Sequence, residues 1–288
     1  MYEKKALIVV VCLLFGIGIG VVRSDFILNR MFYNPFRKSE GNSLVFQQTV
    51  MALVPTAEFA STSPYSPGAP RHFSKFTQEF YFLKPSFPPD VHQNYMAEGQ
   101  LRYLFGKADV VFSAAPQGKL VFTQGDYIDG TPLSLSVLDD ERYYLAQVAL
   151  STPLAEDTPD DIAEDLSSRD RVAMILRTIL QTSNRTDDVA IGIAGPDVPI
   201  TLNWGKRPLR IATYHVLQVL SENQYEANIF IESGLFGEVD IDFKQRMDYY
   251  KSNGLQCIGF SVFAKGSDLS EWIEKYSLRL IHVESNEK

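Results

Sequence analysis

Cysteine is almost missing from this chain: there are two in 288 residues, and Cys12 sits inside an apolar run near the N-terminus. With Cys257 alone beyond that run, an intrachain disulfide in the folded portion and a zinc site built on thiolates are both excluded. Histidine is scarce as well, and none of His72, His92, His215 and His282 stands at a metal-binding helical spacing from another. The sequence holds no G-x-G-x-x-G, G-x-x-x-x-G-K-[ST], G-x-S-x-G or H-E-x-x-H, so dinucleotide, nucleoside-triphosphate, hydrolase-elbow and zinc-protease chemistry lack their local signatures. Positive charge is in deficit: 27 Lys and Arg against 35 Asp and Glu give a net charge of −8. Phosphate contacts need a concentrated cationic surface, so no nucleic-acid partner is expected.

What is present begins with the run Ala6 to Val22, ALIVVVCLLFGIGIGVV, preceded by Lys4 and Lys5 and followed by Arg23. At about 1.5 Å per residue it spans roughly 26 Å as a helix, close to a hydrocarbon core once flanking residues are added. Residues 1–23 therefore read as a single-pass membrane anchor, bounded by Ala6, Val22 and Arg23. The competing reading, a cleaved secretory signal, fits less well. The run is longer than a signal's apolar region, and Arg23 stands in the middle of the one candidate cleavage site. Basic residues lie on both sides of the run; those before it and the length of the chain after it favour an inside N-terminus and an extracytoplasmic body, periplasmic or extracellular. Arg30, Phe32, Tyr33, Phe36, Arg37 and Lys38 then mix cations with aromatics, which suits either a headgroup-level segment or a basic linker.

Beyond the anchor, composition is that of a globular chain, 45% apolar and 22% charged, with no second spanning run. Residues 24–98 read as a juxtamembrane stalk with Pro-rich loops, SLVFQQTVMALV being ambiguous and FTQEFYFL strand-like. Residues 99–156 read as strand-rich, with segments QLRYLF, DVVFSA, KLVFT, LSLSVL and RYYLAQVAL between turns, among them Gln124-Gly125-Asp126 and Asp129-Gly130.

Residues 157–288 carry the strongest pattern. Thr158-Pro159-Asp160-Asp161 opens a helix, and Val172, Ile175, Leu176, Ile179 and Leu180 fall on one helical stripe. Strands are expected at Asp188–Gly195, Ala227–Ser233, Cys257–Ala264 and over LRLIHVE. The helices between them start near Pro208, near Asp240 and at Ser267 or Asp268, and Asn253-Gly254 ends the second of these. Strands alternating with amphipathic helices predict an α/β domain, α+β over the whole chain, whose C-terminal sheet is mostly parallel.

In such a sheet, ligands bind beyond the carboxyl ends of the strands. That rule selects Asp197, Glu232, Lys265 and Asp268 as candidate catalytic residues. Asp197 and Glu232 double as candidate metal ligands, and Lys265 with the amides near Ser267 could receive an anion. Each also has a plainer role as a cap or as solvated punctuation, and the acidic runs 156–164 and 232–242 read by default as solvated faces. His215, among Ala212 and Val219, and Cys257, at a strand start, read as packing residues. No cofactor is implied. The expected function is a non-catalytic binding or scaffold component of a membrane-associated envelope assembly, with a protein partner or a second copy. The alternative is an anchored metal-assisted hydrolase or transferase acting on an anionic substrate through the strand-end carboxylates.

Overall fold

The computed structural model describes residues 41–61, 76–83, 95–104, 107–114, 119–155, 158–169, 172–194, 208–237 and 239–285. The run Ala6–Val22, and with it the expected anchor, lies outside them; among the described residues no helix is long and apolar enough to cross a membrane.

Helix α1 (Gly41–Leu53) leads into β1 (Glu58–Ser61), β2 (Phe76–Leu83), β3 (Tyr95–Leu104) and β4 (Lys107–Ala114), a four-stranded antiparallel meander in chain order. Period-two alternation decides its faces: Phe80, Phe82 and Leu101 are buried, while Thr77, Glu79 and Arg102 are exposed. A short helix α2 (Gln124–Ile128) follows, then β5 (Tyr143–Leu154), α3 (Thr158–Arg169), β6 (Met174–Leu180), β7 (Ile191–Ala194), α4 (Leu209–Glu222), α5 (Gln224–Ile231), α6 (Phe243–Asn253), β8 (Cys257–Lys265), α7 (Gly266–Lys275) and β9 (Arg279–Ser285).

The second sheet runs β7-β6-β8-β5-β9, and every neighbouring pair in it is antiparallel. The expected parallel sheet is therefore corrected. Helix crossovers do exist: α3 links β5 to β6 and α7 links β8 to β9, and each linked pair runs in the same direction. The two strands of a pair are not adjacent, because β8 lies between β5 and β6 and β5 lies between β8 and β9. This is a split, interleaved βαβ arrangement of the ferredoxin-like kind, with β7 and α4–α6 inserted between its halves. A crossover fixes relative direction but not adjacency, which is why alternation in the sequence suggested the wrong pairing.

Three local expectations change as well. From Met174 onward, the stripe Val172 to Leu180 is strand β6 rather than helix. Its residues from Ile175 to Leu180 are all buried, so the strand loses its alternation and any helical spacing can be read into it, while Ile175, Thr178 and Ile179 favour the extended form. Residues 227–233, expected as a strand, belong mostly to α5, where Gln224 Nε2 donates to Asn228 Oδ1 at 2.6 Å one turn on. KLVFT and LSLSVL form no strands: Thr123 makes a single bridge to Val189, and Leu135–Val137 is one 3₁₀ turn. The helix at Thr158, the end of α6 at Gly254 (φ 74°) and strands β8 and β9 lie where expected.

α3 and α7 cover one face of the second sheet. Trp272 anchors that layer: it is fully buried, edge-on to Phe260 at 5.6 Å, and its indole N–H donates to Ile162 O at 2.9 Å. Truncating so large a buried ring costs about 3–5 kcal/mol. The opposite face is covered by the 119–138 segment and by α1, whose Val45, Val50 and Leu53 join the same apolar core as the meander and the second sheet.

Candidate functional site

On that opposite face, Arg177, Ser261, Gln147 and His282 are successive partners in one row across β6, β8, β5 and β9. Cross-strand partners project to the same side, so the register lines up four polar side chains in an otherwise apolar layer. Above the row stands Tyr127 of α2. Its hydroxyl donates to Gln147 Oε1 at 2.7 Å, and Gln147 Nε2 donates to Ser261 Oγ at 2.9 Å, all three side chains being fully buried. Burial, and the nearby Asp126 carboxylate, push the Tyr127 phenol well above its ordinary pKa, so it remains a donor.

Gly259 makes the contact possible. A Cβ there would lie 2.4 Å from Val148 O and 2.6 Å from the Tyr127 ring, so only glycine lets the ring lie on β8. The α2 turn is held by a capping box in which Thr123 and Asp126 bond each other's backbone amides. Burial alone would raise the Asp126 pKa; Lys119 at 2.8 Å and the Thr123 amide and hydroxyl outweigh it and bring it below the usual carboxylate range. Arg279 closes the other end of α2 by donating to the carbonyls of Tyr127, Ile128 and Gly130.

The row changes character at its ends. His282 Nε2 bonds Glu284 Oε1 at 3.1 Å, and its ring is edge-on to Phe122 at 5.5 Å, at the partly exposed rim. At the buried end Arg177, 1% exposed, donates to Met51 O at 3.1 Å, Leu176 O at 2.6 Å and Ala57 O at 3.2 Å. Met51 lies in the last turn of α1, so the guanidinium sits where a helix dipole favours a cation. This arrangement holds register and docks α1. The buried hydroxyls lie where no substrate in solution reaches them.

The residues selected from the sequence are dispersed. Lys265 pairs with Glu141 at 2.7 Å at the surface. The first amides of α7, from Gly266 and Ser267, donate to Arg142 O and Asp140 O, so protein carbonyls occupy the position expected to receive an anion. Neither Ser267 nor Asp268 caps α7; Lys265 stands at the cap and makes no side-chain capping bond to the helix, and Asp268 lies in the first turn. Glu232 is exposed at the C-terminal end of α5. Asp197 lies outside the described residues, as do Ala6, Val22 and Arg23. Among the described residues no group of three His, Cys, Asp or Glu side chains could hold a metal ion.

Two carboxylates of the acidic runs, and the neighbouring Asp165, serve the fold. Asp160 accepts from the first amide of α4, at Leu209, and Asp242 caps α6 by accepting from Lys244 and Gln245. Asp165 binds Lys275 at 2.7 Å and Arg169 at 3.1 Å, tying α3 to α7; these partners hold its pKa below the ordinary range. Cys257 is fully buried, and burial pushes its thiol up to about 12. His215 is half-buried with its ring edge-on to Tyr214.

Sequence reasoning missed the Tyr127–Gln147–Ser261 chain. The available signals were a glycine and two polar residues, Gln147 and Ser261, interrupting strands that are otherwise continuously apolar. Exposed large apolar side chains among the described residues lie elsewhere: Val111, Leu133 and Val137, and on α4 and α5 Ile211, Tyr214 and Tyr225. Comparison of the chain with protein-family models, with curated proteins and with solved structures gives no match.

Proposed function

We propose that this chain is a single-pass, membrane-anchored binding or scaffold component of an envelope assembly, with its body on the extracytoplasmic side and a protein partner or second copy as its ligand. The observation that carries the reading is the commitment of β8's reactive side chains to the fold. Cys257, at one end of the strand, is a buried thiol with its pKa at about 12, and Lys265, at the other, is bound to Glu141. A thiol so far from ionisation is a packing group, and an ammonium paired at 2.7 Å is part of a surface contact. The apolar side chains left at the surface suit docking better than chemistry.

The test is to cross-link the full chain in its native membrane, extract it in mild detergent and identify what co-purifies. A stoichiometric protein partner, or a cross-linked second copy, is the expected result. Recovery of the chain alone and monomeric, or from the buffer-soluble fraction, would overturn the proposal.

A further inference from the structure

We draw no further inference here: the strongest candidate, the exposed apolar turn of Leu133 and Val137 beside the edge strand β9, is an unpartnered surface patch, and nothing in the structure shows what covers it.

Discussion

The phenol of Tyr127 and the amide of Gln147, both fully buried and 20 residues apart in the chain, are joined by a 2.7 Å hydrogen bond across the covered face of the second sheet. Gln147 spends its other end on Ser261, so a single side chain ties α2 and β8 to β5. A buried network of this kind rewards one register and penalises slippage, since a one-residue shift would bury Gln147 against the apolar layer under α7.

Tyr127→Phe removes the donor and leaves Gln147 Oε1 buried without it, at an expected cost of about 1–3 kcal/mol. Denaturant unfolding measures this. Adding Gln147→Leu and Ser261→Ala should recover part of the loss, because no polar atom is then stranded; a triple variant less stable than the single one would contradict the account.

Arg177→Leu should cost more than the loss of an ordinary surface arginine, about 2–3 kcal/mol, since it strands the buried carbonyl of Ala57 and the partly buried one of Met51. The loss should be local first. Amide exchange in α1 is expected to accelerate ahead of exchange in β5 and β8, and uniform acceleration would show that Arg177 does not dock α1.

Asp165 predicts an acid-sensitive contact. Its pKa is held down in the folded chain by Lys275, then Arg169, relative to about 3.9 when unfolded. Its contribution is therefore complete above the unfolded value and is lost as pH falls through the folded one. Asp165→Asn should lower stability at pH 7 and make the melting temperature less dependent on pH below about 4, although the exposure of the pair keeps the effect modest.

Cys257 should fail to react with a thiol reagent at pH 8 in the folded chain and react fully in denaturant, its thiol standing at about 12 while buried. Rapid labelling of the native state would mean that β8 opens or that the thiol is accessible.

Glu232→Ala should leave both stability and partner capture unchanged within error, since the side chain is exposed and belongs to none of the described networks. Binding of Mg²⁺, Mn²⁺ or Ca²⁺ by the full chain that disappears in this variant would revive the catalytic alternative.

Several elements were legible because their signals are local. The helix opening at Thr158-Pro159, the left-handed stop at Gly254 and the apolar strand Cys257–Ala264 depend on backbone geometry and composition within a few residues. Strand β6 and helix α5 were misread for one shared reason: a short, wholly buried run carries no period, and burial comes from neighbours far along the chain. Of the candidate site, Lys265 and Asp268 lie near the ends of the elements expected for them, whereas Glu232 ends helix α5 and not the strand expected there; what each side chain touches was not legible.

Composition and local pattern, by themselves, determined the net negative charge, the absence of a disulfide framework, the positions of α3, α4, α6 and α7, and strands β8 and β9. Strand pairing was decided only by the tertiary structure. A helix between two strands dictates that they point the same way, yet whether a third strand slips between them depends on how side chains from both halves fill the core. Here β8 enters between β5 and β6, which turns a sheet expected to be parallel into an antiparallel one. The same interleaving brings Arg177, Ser261, Gln147 and His282, spread over more than a hundred residues, into one row.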